Sequence, residues 1–158
     1  MKRKENPAKV FLRRYLGLMA RVDALNRAID AAMERAFGIG VTLKQVKVLS
    51  SPAEHDPMAA DVCTAVDATE ILREEKAKAE DALREILTAI DAVQDEREKA
   101  VLTMRYVSGE GFAKIAEALH FSEPAIYVAH GRALVTVNKW LEVRNHDHEQ
   151  GSNSFRVG

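Results

Sequence analysis

The sequence predicts an all-α chain, in which a long antiparallel helical hairpin precedes a group of shorter helices. Three observations predict it. Ala, Leu, Glu, Lys and Arg abound among the 158 residues, while aromatics make up only 6% and there are four prolines and eight glycines. That mix favours helix and argues against a β-sandwich or barrel. Two long stretches place apolar residues at steps of three and four, with charges between them. A single break rich in Gly, Ser, Val and Pro separates those stretches, so each helix can bury its stripe against the other.

The first helix is expected from about 8 to 37. Leu12, Tyr15 or Leu16, Met19, Val22, Leu25, Ile29, Met33 and Phe37 form its apolar face. Gly38 and Gly40 mark its end, since glycine is the usual residue just past a helix. The period is lost over 38–56, where Val41, Val46 and Val48 are followed by Ser50, Ser51 and Pro52; a loop with a short extended piece is expected. Asp56 and Pro57 suit a helix start. The second helix should run to about 93 on Val62, Val66, Leu72, Ala79, Leu83, Ile86, Ile90 and Val93. The last five alternate steps of four and three, as a coiled-coil seam does. Residues 8–93 are therefore expected as a hairpin after a basic end at 1–7. Pairing between two chains, giving a homodimer through the long helices, is the alternative.

Residues 94–142 form a further domain, and 143–158 turn polar and are expected to be disordered. Within 94–142, Ala100, Val101, Met104 and Tyr106 lie on one helix, and Ser108 to Gly111 interrupts it. Phe112, Ile115, Ala116 and Leu119 then form a short helix with one apolar face. After His120 and Phe121, Ser122 is a good N-cap, and Pro124 is tolerated in the first turn. Ile126, Ala129, His130 and Ala133 continue an apolar face, which Leu134, Val137 and Leu141 extend. A support helix followed by two short helices across a tight turn, with small Ala116 at their approach, is the helix-turn-helix layout. In it the second helix enters the major groove.

These residues carry a resemblance. Glu96 to Tyr106 resembles the first helix of sigma-70 region 4, Gly111 to Leu119 its scaffold helix, and Ser122 to Ile126 with His130 to Leu134 its recognition helix. The whole chain resembles phage and prophage late-gene transcription regulators of the ArpU/RinA kind. That likeness is carried by the segment from Ser50 to Met58, by Ile126 and Tyr127, and by His130 to Leu134. The resemblance implies an all-α fold with a sigma-region-4-like helix-turn-helix. It also implies binding to double-stranded promoter or operator DNA, control of transcription, and contact with RNA polymerase.

If Ile126, Ala129, His130 and Ala133 face inward, then Glu123, Pro124, Tyr127, Val128 and Gly131 face outward as the candidates for reading bases. Glu123 is suited to accept from a cytosine amino group, and Tyr127 or Val128 to touch a thymine methyl. Lys114, Ser122 and Arg132 are the candidates for phosphate contact. Sigma-like recognition helices carry arginine at groove-facing positions, and none of these five is Arg or Lys. The formal net charge is -1, so positive charge must be local. The clearest basic stretch holds Lys2, Arg3, Lys4, Lys9, Arg13 and Arg14 against Glu5 alone. Weak DNA binding by the domain itself is expected, with that stretch or dimerisation supplying the remainder.

No enzyme signature is present: no P-loop, no GxGxxG, no HExxH. No cofactor and no metal are implied. His146 and His148 lack a third ligand nearby and read as solvated. The lone Cys63 reads as a small core residue, and such cysteine usage fits a reducing cytoplasm. No apolar run is long enough to span a membrane. His130 reads as a core or phosphate-bonded imidazole, and Trp140 as closing the end of the core. Two other functions fit the same pattern. One is a DNA-packaging recognition subunit similar to a small terminase. The other is a module that docks on RNA polymerase without binding DNA.

Overall fold

The computed structural model describes residues 5–46 and 57–153, with side chains described for 5–36 and 64–148. The elements are α1 (Pro7–Val46), α2 (Pro57–Asp91), α3 (Glu96–Leu102), a π-helical turn (Thr103–Val107), α4 (Phe112–Leu119) and α5 (Glu123–Asn153). No strand occurs among the described residues, as the all-α expectation requires. No described helix is long and apolar enough to cross a membrane.

Two compact units divide the described residues. One joins the chain up to Gly17 with everything from Ala82 onward; the other is Leu18–Asp81. The sequence suggests a boundary near 93 instead. The difference has a physical cause: the first turns of α1 and the last turns of α2 bury their apolar residues in the core of the shorter helices. Ala8 and Leu12 are fully buried there, as are Ile86, Ala89 and Val93.

In the first unit, Pro7 opens α1, a position where its missing N–H costs nothing. The Ala8 N–H donates to Asn6 Oδ1 (3.0 Å) and to Asn138 Oδ1 on α5 (2.9 Å). Asn138 Nδ2 in turn donates to Asn6 Oδ1 at 3.2 Å. One turn on, Phe11 packs on Trp140 with ring centroids 6.0 Å apart, so Trp140 does close this end of the core. The Arg144 guanidinium lies 5.7 Å from both ring centroids and reaches Glu85 at 2.9 Å. These contacts explain why α5 does not stop near 142. The expected disorder of 143–158 is corrected by a helix that continues to Asn153; residues 154–158 lie outside the described chain. Extending an existing packed helix gains a backbone hydrogen bond for each residue fixed, whereas starting one is costly.

Asp95 caps α3, its carboxylate accepting from the Glu98 N–H at 2.9 Å. The helix then widens into the π-helical turn, with the Ser108 N–H reaching back to the Thr103 carbonyl. Sequence pattern places 96–106 on one continuous helix and does not signal this extra residue. Val101, Ile115, Ala116, Ile126 and Ala129 form the core between α3, α4 and α5, with Met104, Phe112 and Leu119 packed against it. Gly109 follows the π turn with φ of 74°, and a Cβ there would meet Leu16 Cδ1 at 3.3 Å. Both facts favour glycine at this position.

In the second unit, α1 buries Val22 and Ile29, and α2 buries Thr69 and Ala79. Arg21 pairs with Glu75 at 2.7 Å, and Arg73 lies 3.6 Å from the Met33 sulfur. The partners run in opposite sequence order, as an antiparallel hairpin requires. Two expectations change. α1 continues past Gly38 and Gly40 to Val46, so the first part of the expected 38–56 loop is helical. An interior glycine costs about 1 kcal/mol relative to alanine but keeps its backbone hydrogen bonds, so it weakens a helix without ending it. Residues 47–56 lie outside the described chain, as do the side chains of Val62 and Cys63. Val66, expected on the buried face, is half exposed.

Leu12→Ala should destabilise the protein by about 2–5 kcal/mol, the cost of emptying a filled core position. Urea denaturation followed by far-UV circular dichroism measures this. A loss below about 1 kcal/mol would mean that the start of α1 is not part of this core.

Candidate nucleic-acid interface

The outward face of α5 is set by how α4 ends. His120 takes the left-handed conformation (φ 57°, ψ 40°). Its N–H bonds the Glu117 carbonyl, and the Phe121 N–H bonds the Ala116 carbonyl at 2.9 Å. That pair of bonds is a Schellman motif, in which glycine is the usual left-handed residue; the histidine hides the signal from a sequence reading. Phe121 stays partly exposed under the Arg97 guanidinium, 4.3 Å from its ring centroid. Ser122 then starts α5. Its hydroxyl accepts from the Ala125 N–H at 3.4 Å, and its carbonyl accepts from Ile126 at 3.1 Å. Pro124 sits in the first turn, where no partner is lost.

Ile126, Ala129, His130 and Ala133 are buried, so the rotational phase inferred from the sequence is the one observed. Glu123, Pro124, Tyr127, Val128 and Gly131 are all exposed on one side of α5. Tyr127 and Val128 are 53% and 54% exposed, large values for such side chains. A Cβ on Gly131 would meet nothing within 4 Å, so the surface there is open. The Tyr127 ring rests along Phe112 with centroids 4.5 Å apart, which fixes one edge and leaves the other free. Val135, 54% exposed, continues this strip two turns beyond Val128. It is absent from the sequence-derived candidates, although its spacing of seven from Val128 would have found it.

Among the phosphate-contact candidates, Arg132 is exposed on α5 and Ser122 lies at its N-terminus. Lys114 is exposed on α4, with its ammonium 3.4 Å from the Glu110 carboxylate. A pair this open to solvent is worth little and yields readily to a phosphate.

Behind α5 lies a polar centre that the period alone does not reveal. His130 Nε2 is 3.0 Å from the Tyr106 hydroxyl, and both residues are buried. The two rings are stacked with centroids 5.8 Å apart, and Phe112 meets His130 edge-on at 5.0 Å. The π-helical turn delivers Tyr106 to this position. Burial, with the positive charges of Lys9 and Arg105 nearby, lowers the His130 pKa from 6.5 to about 4. Burial likewise raises the Tyr106 phenol. His130 is thus a neutral core imidazole at physiological pH.

Residues 83–137 match the family model of sigma-70, region 4. The chain therefore carries a sigma-70 region 4 helix-turn-helix, which takes in the end of α2, α3, the π turn, α4 and the first half of α5. The start of α1, which completes the core of this region 4 domain, falls outside the matched residues. Comparison with curated proteins and with solved structures finds no match for the chain. Among the described residues no group of His, Cys, Asp or Glu is placed to hold a metal ion. His146 and His148 stand exposed on α5.

The His130 environment gives a pH dependence of known sign. Below pH 6.5 the unfolded chain binds a proton on this imidazole that the folded chain refuses until about pH 4. Stability therefore falls as pH drops through that window, by at most about 1.4 kcal/mol per pH unit from this group. Urea midpoints measured from pH 7.5 down to 4.5 should show the decline. His130→Gln should remove this component of the slope, whatever it does to absolute stability. Equal slopes for the two proteins would contradict a buried neutral imidazole.

Proposed function

We propose that the protein is a sequence-specific regulator of transcription that binds double-stranded DNA, and that its targets are phage late genes. The observation that carries the reading is the strip of Glu123, Tyr127, Val128 and Gly131. It is exposed on the helix that follows a Schellman turn in a region 4 domain. That helix is the one the helix-turn-helix layout places in the major groove. Glu123 would accept from a cytosine amino group, and Tyr127 and Val128 would pack on thymine methyls. Lys114, Ser122 and Arg132 surround the strip and would hold the phosphates. The resemblance of the chain to ArpU/RinA-type regulators supports the late-gene assignment.

A second reading has its own support. Tyr127, Val128 and Val135 give the strip an apolar character, and Glu123 opens it with a negative charge. Such a surface also suits a protein partner, and RNA polymerase is the partner that the resemblance implies.

Fluorescence anisotropy with duplexes from upstream of neighbouring genes, against an unrelated duplex at two salt concentrations, separates the readings. The DNA reading expects one duplex to be preferred at both salts. Glu123→Ala should relax selection at one base pair by about 1–3 kcal/mol. Arg132→Gln should weaken all sequences alike and lower the salt slope by about one. Absence of any preference, together with capture of purified RNA polymerase that Tyr127→Ala abolishes, would replace the DNA reading with the docking one.

A further inference from the structure

A cleft of about 220 Å³ opens beside the buried Tyr106–His130 pair, within the unit that holds the region 4 domain. Three cationic side chains line it: Lys9 and Arg13 from the start of α1, and Arg105 from the π-helical turn. No carboxylate lines it among the described residues. Arg13 has Glu5 as an ion-pair partner at the exposed rim. Arg105 is held without an acid: it donates to the Glu110 carbonyl at 2.8 Å and lies 4.8 Å from the Phe112 ring centroid. Lys9 has no ion-pair partner among the described residues. The floor is aromatic and polar, with Phe112 beside the hydroxyl and imidazole of Tyr106 and His130.

Three like charges brought together repel one another, and the interior side of a cleft screens them less than open water does. An anion bound there would offset that repulsion; among the described residues Arg13 alone of the three has an acid as ion-pair partner. The Arg guanidinium offers planar paired donors and the Lys ammonium a point charge, the combination that suits a tetrahedral oxyanion. The volume holds several water-sized groups at about 30 Å³ each, which is room for one phosphate group.

We infer that this cleft is a binding site for a single phosphate group, held by Lys9 and Arg105 with Arg13 at the rim. The phosphate belongs either to a free small phosphate ester or to the backbone of a bound duplex. In the second case the site adds a contact to the proposed DNA interface and rests on that reading; in the first it stands apart from it. Phe112 forms one wall of the cleft and also supports Tyr127 on the exposed strip.

The test titrates inorganic phosphate into the full-length protein at constant ionic strength and follows the histidine ring signals by NMR. Saturable shifts are expected at His130 and not at His146 or His148. The bound phosphate should also raise the pH at which His130 titrates. The titratable and charged groups around that ring are Lys9, Arg13, Arg105 and Tyr106, with Glu5 on Arg13 and Glu110 on Lys114, so the comparison is made with and without phosphate at each pH, where the anion is the one component that differs. Lys9→Gln, which breaks no described hydrogen bond, and Arg105→Gln should each weaken phosphate binding about tenfold or more, as loss of a charge-assisted bond does. If Arg105→Gln fails to fold, Lys9→Gln alone decides. No saturable shift in the wild-type protein, or equal affinity in Lys9→Gln, overturns the inference. The source follows from anisotropy on DNA in chloride buffer. A salt slope lowered by about one in Lys9→Gln assigns the phosphate to the duplex backbone, and an unchanged slope assigns it to a free ester. Failure of all DNA binding alongside retained phosphate binding would remove the functional proposal and leave the site intact.

Discussion

A buried imidazole is tolerated only when its nitrogens are satisfied or its charge is suppressed. In the region 4 domain the Tyr106 hydroxyl meets His130 Nε2 at 3.0 Å, and burial keeps the ring neutral. Much else depends on that one contact. It joins the π-helical turn to α5 and lies on the same buried face of α5 as Ile126, Ala129 and Ala133. Once His130 points inward, Tyr127, Val128 and Gly131 have no direction left but outward. The widened turn at Thr103–Val107 belongs to the same constraint, because it sets Tyr106 in reach of the ring. Such π turns often mark functional sites.

The same centre explains why the domain recruits a piece of chain from far away in sequence. α3 and α4 are short, of 7 and 8 residues, and cover only part of the apolar face of the longer α5. Ala8, Phe11 and Leu12 of α1 supply the missing cover, locked by the Asn6–Asn138 hydrogen bonds. That closure also carries Lys9 and Arg13 to the edge of the His130 pocket. The basic N-terminal stretch is thereby not a loose electrostatic arm over these residues. It is part of the folded wall of the domain, and its charge is delivered to a defined place.

The exposed strip of α5 departs from the arginine-rich surface that sigma-like recognition helices present. Positive charge in this domain sits instead around the strip, on Lys114 and Arg132, and behind it, on Lys9, Arg13 and Arg105. On the proposed DNA reading, attraction to phosphates and reading of bases would be carried by different surfaces, a division that favours specificity over raw affinity. Tyr127 rests on Phe112, which lines the cleft behind the strip.

The helical class and the phase of α5 were legible in the sequence, as was the need of the two long helices to cover each other's apolar stripes, within one chain or between two. Each follows from apolar spacing, which is a local property that burial then enforces. The outward positions Glu123, Pro124, Tyr127, Val128 and Gly131 were legible as well, since a known inward face fixes the opposite one. The remainder depends on contacts between residues distant in the chain. The π turn left no mark in the pattern, and the left-handed His120 stood where glycine would have announced a helix end. Helix continuation through Gly38 and Gly40, and past Glu142 to Asn153, was set by free energies of a kcal/mol or less per residue. Local propensity cannot resolve balances that small. Above all, the meeting of Lys9, Arg13 and Arg105 over His130 required the start of α1 to fold onto a domain about ninety residues away. Charge on a sequence shows its amount, and only packing decides where that charge is gathered.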